Sequence, residues 1–152
     1  MNTDIVKYIS RGINVCLGTD GQGSGNNLNM FRHMSIVGDL QKGLYKDPTV
    51  ISSYDVLKMA TINGARALGL DDKIGSIERG KCADIIILDL NDICVYPAPD
   101  LINQIVHNCV SCVNTVMING DILVNNGEFL LDIDFDDLKS KIDDIFSSLG
   151  KE

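Results

Sequence analysis

The sequence predicts an α/β protein made of a helix-rich first piece, a mostly β second piece and a closing helix. Apolar residues recur at three- and four-residue steps up to about residue 68, which is typical of amphipathic helices. Beyond Asp71 the hydrophobic segments shorten to strand length, and Asn119-Gly120 separates two of them as a tight hairpin turn would. We therefore place the boundary between the two pieces near residue 72.

Composition, charge and length exclude several kinds of protein. The 152 residues are 45% hydrophobic and 22% charged, as in globular proteins, and aliphatic runs such as Ile85–Leu88 are far shorter than the roughly 18 residues of a membrane span. A net charge of −8 argues against a nucleic-acid partner, and residues 1–10 lack the pattern of a signal peptide. We expect a cytoplasmic chain that binds neither membrane nor nucleic acid. A complete (β/α)8 barrel needs about 200–250 residues and is excluded by length.

The first piece is predicted to contain a short helix, a buried strand and two longer helices. The strand is an apolar, β-branched run bounded by glycines. Ser52 and Asp55 have the spacing of a capping box, and Gly69 is a typical helix stop. The predicted elements are a helix over residues 5–9 capped by Asn2 or Thr3 and ended by Gly12, a strand over 13–17, a helix over 28–44 ended by Asp47-Pro48, and a helix over 52–68.

The second piece is predicted to consist of short strands followed by a helix. Asn119-Gly120 supplies the two consecutive positive-φ residues that a two-residue hairpin needs. The closing helix has an apolar stripe from Phe135 to Leu149, and four aspartates near its start suit the positive end of the helix dipole. Residues 101–106 fit either a short helix or a strand. The predicted strands are 84–90, Val113–Ile118, 122–124 and 129–131.

The chain contains five cysteines, and Cys109-Val110-Ser111-Cys112 forms a C-x-x-C run preceded by His107. A zinc knuckle or a redox pair is one interpretation of such a run. No second C-x-x-C or histidine pair in the sequence completes four ligands, and the run abuts a predicted strand instead of opening a helix. An odd cysteine count without an export signal favours a reducing compartment. We therefore expect free, mostly buried thiols that pack in the core.

Residues 18–27 form a glycine-rich loop after the predicted strand. A dinucleotide-binding loop has the pattern Gly-x-Gly-x-x-Gly, and here Asn26 occupies the third glycine position. The sequence also has no Gly-Lys-Ser/Thr run and no series of βαβ units after this strand. The loop is therefore not predicted to bind a nucleotide phosphate.

Asp20 lies in this loop, just beyond the C-terminal end of the predicted strand. Catalytic groups of α/β barrels gather at that edge. A carboxylate there can ligate a divalent metal and accept a proton from the water that the metal activates. The alternative is a plain Asp-Gly turn, which chain reversals commonly use. Spacing by itself favours the turn, and both interpretations stay open at this point.

Four ordered motifs resemble the metal-dependent amidohydrolase superfamily over nearly the whole chain. The first is similar to the last barrel strand of that superfamily and the loop after it. The subgroup that it resembles most closely is the methylthioadenosine/S-adenosylhomocysteine deaminases and the related chlorohydrolases. The motifs are INVCLGTDG, Ser24 and NNLNMF within residues 13–31, MATINGARALGL at 59–70, IGSIERGKCAD at 74–84 and VNTVMING at 113–120.

The resemblance implies a C-terminal fragment of a (β/α)8 barrel, with its last strand and helices, plus part of a small β-sandwich domain and a C-terminal helix. Residues 1–72 would end the barrel, 73–133 would form the C-terminal part of the composite sandwich, and 134–152 would form the helix. Asp20 would be both a catalytic residue and a ligand of zinc or another divalent metal. The parent enzyme would deaminate an adenosine-type or related heterocycle by metal-hydroxide attack.

The histidines do not complete such a site. The resemblance implies that the His-x-His pair and two further histidines lie on earlier strands, which this chain lacks, and a hydrolytic zinc site typically needs three protein ligands. His33 is predicted on a helix surface and His107 near the C-x-x-C run. We therefore expect the isolated chain to be catalytically incomplete and to hold no metal tightly.

Two kinds of partner follow from the resemblance. The missing N-terminal barrel portion could complete the site, or copies of the chain could form a homo-oligomer, because uncovered apolar faces and sheet edges promote association. The parent's small-molecule ligand would be of the purine type. The alternative functions are a non-catalytic remnant that acts as a structural, binding or self-assembling module, and a parent of the dechlorinating or guanine-type class.

Three smaller features are interpreted as structural. Asn26 or Asn27 could contact a ligand, but capping of the following helix is the favoured role. Arg66 is expected to form a solvated ion pair with the aspartates that follow its helix. Asp84 is expected to fix the turn at Gly80-Lys81 by accepting backbone hydrogen bonds.

Overall fold

The computed structural model of the chain describes residues 3–91, 93 and 95–149. The predicted α/β class is confirmed, with helices first and a sheet after them. The predictions that Asn2 caps a helix and that Cys94 is a free thiol fall outside the described residues. The elements are α1 Ile5–Ser10, α2 Gln22–Gly25, α3 Met30–Tyr45, α4 Ser53–Ala60, α5 Ile62–Leu68, β1 Ile85–Leu88, α6 Leu101–Asn108, β2 Val113–Ile118, β3 Asp121–Asn125, β4 Glu128–Phe129 and α7 Phe135–Leu149.

The hydrophobic core lies among the helices. α3 packs against α4 and α6, and α4 packs against α6 as well. Residues 101–106, for which the sequence allowed a helix or a strand, are helical because the apolar face of α6 completes this core. The core residues are almost fully buried: Met34, Ile51, Val56, Met59 and Val106.

The predicted capping residue is found at the start of one helix and differs from the observed one at two others. The Ser52 side chain accepts a 3.1 Å hydrogen bond from the Asp55 amide, so the predicted capping box is confirmed. The prediction of Thr3 as the cap of α1 is wrong, because the Asp4 carboxylate accepts from the Lys7 amide instead. The predicted caps of α3 are also wrong, since the helix begins later and is capped by Asn29.

The predicted helix over 52–68 is interrupted. α4 ends at Ala60 and α5 begins at Ile62, with Thr61 at φ −129° and ψ −101°, outside the helical region. The Thr61 hydroxyl donates a 2.8 Å hydrogen bond to the carbonyl of Leu57, one turn earlier. Such back-bonding from threonine competes with the helical ladder. The stop at Gly69 is confirmed, with φ +68° in the left-handed region.

The predicted strand over 13–17 is not a strand in the described chain. A β-ladder needs a neighbouring strand to accept and donate its backbone hydrogen bonds, and no described strand lies beside this segment. Helical groups take that role instead: the Leu17 amide donates to the Met59 carbonyl at 2.9 Å. Ile13, expected to be buried, is half exposed.

The sheet is an antiparallel meander in the order β1-β2-β3-β4. Asn119 and Gly120 have φ +50° and +93°, which confirms the hairpin between β2 and β3. The Asp84 carboxylate accepts a 2.7 Å hydrogen bond from the Asn119 amide, so it fixes the hairpin 35 residues later in the sequence and not the predicted turn at Gly80-Lys81. β1 spans Ile85–Leu88 and is shorter than the predicted strand over 84–90, and its register with β2 shifts between Ile87 and Leu88.

Much apolar surface outside the helical core is exposed. α7 is the predicted closing helix, and the Asp134 carboxylate accepts hydrogen bonds from the amides of its first turn. Within the described part of the chain, no helix is long and apolar enough to cross a membrane. The exposed apolar residues include Ile86, Ile87, Ile118, Ile122 and Phe129 on the sheet and Phe135, Leu138, Ile142, Ile145, Phe146 and Leu149 on α7.

Candidate functional site

Asp20 has a backbone conformation that is uncommon outside glycine. Its φ is +54°, in the left-handed region, where aspartate is tolerated better than most residues. One carboxylate oxygen, Oδ1, accepts a 2.7 Å hydrogen bond from the amide of Gly21. The residue is exposed. Asp20 is therefore oriented by its own turn, and its carboxylate remains accessible for a ligand.

The loop after Asp20 folds back on the segment that precedes it. The single helical turn α2 brings Gly25 beside Thr19, where a Cβ on Gly25 would lie 3.4 Å from the Thr19 carbonyl oxygen. Asn26 follows with φ +52° and donates its amide to the Gln22 carbonyl at 2.9 Å. The glycine-rich sequence thus forms a compact turn that lies against Thr19, the residue before Asp20. Asn26 ends α2 and does not cap α3.

The far end of this loop is fixed by Asn29. Its side-chain oxygen accepts from the Phe31 amide at 3.0 Å and the Arg32 amide at 3.3 Å, capping α3. Its side-chain nitrogen donates a 2.8 Å hydrogen bond to the carbonyl of Val110. Asn27 contributes from within the loop, since its side chain accepts a 2.6 Å hydrogen bond from the Asn29 amide. Sequence reasoning missed Asn29, although an asparagine before a helical apolar run is a cap signal.

His33 takes part in the loop's anchoring. Its Nε2 lies 3.1 Å from the Asn27 carbonyl oxygen, and its ring lies 3.8 Å from the position of a Cβ on Gly25. The predicted helix location is confirmed, but the side chain is half-buried against the loop and is not a plain surface residue.

His107 lies against α3. Its Nδ1 is 3.5 Å from an oxygen of Asp39, its Nε2 is 3.4 Å from the ammonium of Lys42, and Gly38 leaves room for the ring. Burial is the main cause that lowers the pKa of His107, the Lys42 charge lowers it further, and Asp39 opposes both. Its ring therefore belongs to the contact between α3 and α6.

The described residues do not assemble a metal centre by themselves. Among them, no three His, Cys, Asp or Glu side chains come together in a group that could hold a metal ion. A hydrolytic zinc site typically has three protein ligands and an open position. The carboxylate of Asp20 has the chemistry of one such ligand.

The cysteines differ from the prediction. The structure pairs Cys109 and Cys112 as a disulfide, with 5.3 Å between their Cα atoms, so these two are not free thiols, although they are buried as expected. Cys16 and Cys82 are free but exposed, which contradicts the expectation of burial. Cys16 belongs to the 13–17 segment, and Cys82 lies in the turn before β1.

A surface groove of about 740 Å³ runs beside α4 and α5, and Asp20 is not part of its lining. On one side Arg66 faces Asp71 at 4.0 Å, and both side chains are about half exposed, which confirms the predicted solvated ion pair. On the other side the largely buried ammonium of Lys81 donates 2.6 Å hydrogen bonds to the Asp71 carbonyl and the Ser76 hydroxyl. These contacts fix the turns of the connector.

Comparison with known proteins identifies the family. Residues 2–123 match the amidohydrolase family. A 5-methylthioadenosine/S-adenosylhomocysteine deaminase of Acetivibrio thermocellus is 43% identical over 138 residues, which are 90% of this chain and 32% of that protein. The chain thus spans about a third of the length of this relative.

Solved structures agree with the sequence relatives. A zinc-bound adenosine deaminase from Xanthomonas campestris superposes with a TM-score of 0.91 at 30% identity, over 98% of this chain and 34% of that one. A variant of the atrazine chlorohydrolase of Arthrobacter aurescens, complexed with zinc and atraton, gives 0.81 at 26% identity, over 91% and 31%. The fold is therefore a fragment of the amidohydrolase barrel and the structure that follows it. The chain belongs to the amidohydrolase family.

Proposed function

We propose that this chain is the C-terminal portion of a metal-dependent aminohydrolase that deaminates an adenosine-type substrate, with Asp20 as its one catalytic and metal-binding residue. The observation that carries this proposal is the exposed carboxylate of Asp20, held at φ +54° by a loop that is anchored at both ends. Aspartate tolerates this conformation, and what points to a ligand is that the carboxylate stays accessible while the Gly21 amide orients it.

The metal would be zinc or another divalent ion, since both zinc-bound structures described above share this fold. A carboxylate oxygen is an ordinary zinc ligand. When bound, the metal supplies Lewis-acid activation of the attacking water. Among the described residues no three potential ligands come together. The proposal therefore makes the isolated chain catalytically incomplete and a weak binder of metal.

The role of Asp20 in the reaction is proton transfer. Deamination replaces an amino group on the ring carbon by oxygen and releases ammonia, so one proton must leave the attacking water and one must reach the departing nitrogen. A carboxylate within reach of both positions can accept the first proton and donate it to the nitrogen. The hydrogen bond from Gly21 to Oδ1 fixes the direction of the carboxylate for both steps.

The partner that completes the site is the N-terminal barrel portion. The segment over 13–17 lacks a neighbouring strand, and the sheet and α7 expose apolar faces that such a partner would cover. In this proposal the chain without that portion associates with copies of itself through these faces, and the complete protein is cytoplasmic. A remnant that only self-assembles is the alternative.

The test is complementation. The chain is co-expressed with the Acetivibrio thermocellus deaminase lacking the segment that matches it, and ammonia release from 5-methylthioadenosine is measured together with bound zinc. We expect zinc and activity in the complex, and neither in the chain alone. Asp20→Asn, which keeps the shape of the side chain, should lower the rate by about 10²–10⁴-fold. Asp121→Asn, at an exposed aspartate of β3, is the matched control.

Two outcomes contradict the proposal. Activity that survives Asp20→Asn in the complex would remove Asp20 from the catalytic site. A chain that forms stable homo-oligomers and never binds the complementary portion would favour the self-assembling remnant.

A further inference from the structure

We propose that His33 is a positioning residue of the Asp20 site, and that it holds in place the loop which orients the catalytic carboxylate. Its imidazole contacts that loop at two points, the Asn27 carbonyl and Gly25. These contacts are properties of this chain, and only their consequence for catalysis rests on the proposed function.

His33 is attached to a rigid part of the molecule. It lies in the first turn of α3, and its backbone amide donates a 3.2 Å hydrogen bond to the Asn29 carbonyl. The next residue, Met34, is 3% exposed and belongs to the hydrophobic core. The half-buried ring of His33 therefore has a fixed base from which it supports the more exposed loop.

The contact with Asn27 defines which ring nitrogen carries hydrogen. Nε2 of His33 lies 3.1 Å from the Asn27 carbonyl oxygen, and a carbonyl oxygen can only accept. Nε2 must therefore bear a proton, as it does both in the neutral Nε2–H tautomer and in the imidazolium. The Asn27 side chain accepts the Asn29 amide at 2.6 Å, so the backbone and the side chain of Asn27 are both bound. Asn27 is thus a fixed point between Asp20 and the cap of α3.

The contact with Gly25 extends this support toward Asp20. The ring carbon Cε1 lies 3.8 Å from the position of a Cβ on Gly25, and the Thr19 carbonyl oxygen lies 3.4 Å from the same position. Gly25 therefore lies beside both the imidazole and the residue that precedes Asp20. The Gly25 amide donates a 3.3 Å hydrogen bond to the Gly21 carbonyl, and the Gly21 amide is the donor that orients Asp20 Oδ1.

Loss of the ring should therefore loosen the turn over residues 21–25 and with it the direction of the Asp20 carboxylate. In the proposed reaction this carboxylate must reach both the attacking water and the departing nitrogen. A misplacement of about 1 Å in such a group can cost up to about 100-fold in rate. Because Asp20 is assigned no role in holding the heterocycle, the effect belongs in kcat and not in KM.

Three variants of the full chain separate this role from a general effect on α3. His33→Leu removes the donor and keeps an apolar side chain of moderate size. His33→Gln keeps an N–H group that can reach the Asn27 carbonyl. Arg32→Leu is the matched control, because Arg32 is the exposed neighbour of His33 on the same turn.

The first readout is hydrogen exchange in the isolated chain. The backbone amides over residues 24–26 donate within the turn, to the carbonyls of Gly21 and Gln22. Their exchange should be about three- to tenfold faster in His33→Leu, because the turn loses its support from α3. His33→Gln and Arg32→Leu should exchange at the rate of the unmodified chain.

The second readout is ammonia release by the complex with the complementary portion of the Acetivibrio thermocellus deaminase. His33→Leu should lower kcat per bound zinc by about tenfold and leave KM within about twofold. His33→Gln should recover most of the rate, and Arg32→Leu should keep all of it. Rescue by glutamine and a change confined to kcat are not expected of a residue that only stabilises the fold.

Three results overturn the proposal. Unchanged exchange in His33→Leu would show that the ring does not hold the loop. Faster exchange with an unchanged kcat would show that the loop does not position Asp20. Equal losses of rate in His33→Leu and Arg32→Leu would indicate a general disturbance of α3.

An inactive complex of the unmodified chain has a different meaning. It would contradict the proposed function, and the catalytic role of His33 would be refuted with it. The exchange result in the isolated chain uses no deamination and would still decide whether His33 holds the loop. Failure of the inference and failure of the proposed function are therefore distinguishable.

Discussion

The side chains of Asn14 and Asn63 each donate one hydrogen bond between α5 and the segment before Asp20, and they hold that segment against the helix. The Asn14 side chain donates to the Asn63 carbonyl at 3.0 Å, and the Asn63 side chain donates to the Val15 carbonyl at 2.9 Å. Since the Val15 carbonyl has no partner in the described sheet, the Asn63 side-chain amide supplies the donor that a neighbouring strand would supply in a ladder. The position of the segment before Asp20 therefore depends on α5, whose Asn63 lies 48 residues after Val15.

Asn63→Ala should lower the free energy of unfolding by about 1–2 kcal/mol, because a part-buried carbonyl loses its donor. Urea denaturation of the purified chain measures the change. Lys139→Ala, on α7, removes an exposed ion pair with Asp136 and should cost less than about 0.5 kcal/mol. Equal losses in the two variants would show that the Asn63 contact does not stabilise the fold.

Local signals in the sequence predicted the local parts of the fold. The hairpin at Asn119-Gly120, the Ser52 capping box and the Gly69 stop each need only neighbouring residues, and all three are confirmed. The strand over 13–17 was wrong for a non-local reason, since periodicity reports a tendency to extend but not whether a partner strand is present. Residues 101–106 stayed ambiguous because only packing against α3 and α4 selects the helix.

The candidate site likewise has one part that the sequence could predict and another that it could not. Asp20 could be singled out from its loop and its family motif, and its role stays a proposal. The anchors of that loop are contacts across 48 and 81 residues, from Asn63 to Val15 and from Asn29 to Val110. No spacing rule connects such pairs, and a side-chain amide that binds a distant carbonyl has no sequence signature of its own. The geometry around Asp20 therefore required the structure.

Gly75 is a site where a single methyl group should be costly. Its φ is +88°, and an added Cβ would lie 2.7 Å from the Cβ of Ala65 and 3.0 Å from the Cα of Ile62. Positive φ alone costs a residue with a side chain about 1–2 kcal/mol. The contact with the α5 backbone adds to this cost, because α5 cannot move without disturbing the core, so Gly75→Ala should destabilise the chain by about 3 kcal/mol.

Gly127→Ala is the matched control for Gly75→Ala. Gly127 has a similar φ of +78°, and nothing lies within 4 Å of an added Cβ. This variant should lose only the conformational part, about 1–2 kcal/mol. Thermal and urea unfolding of both variants give the difference. If they lose the same stability, backbone conformation alone explains Gly75 and the close approach to α5 contributes nothing.

The stability of the chain should fall in mild acid because of His107. Burial lowers the pKa of this imidazole in the folded state, the ammonium of Lys42 lowers it further, and Asp39 partly opposes them. Below the ordinary histidine pKa of about 6.5 the unfolded chain therefore binds more protons than the folded chain. The free energy of unfolding must decrease as pH falls through this value toward the lower, folded-state pKa. The carboxylates with lowered pKa, such as Asp47 and Asp55, act in the same direction only near pH 4 and below.

Urea titrations at about pH 7.5 and about pH 5.5 therefore isolate the histidine contribution, since the carboxylates remain ionised over this interval. His107→Gln should show a smaller loss of stability between the two pH values than the unmodified chain. Asp39→Asn should show a larger loss, because it removes the one charge that favours the protonated ring and leaves Lys42 in place. A loss that is the same in all three proteins would mean that His107 titrates alike in the folded and unfolded chains, and that its contact with α3 is electrostatically neutral.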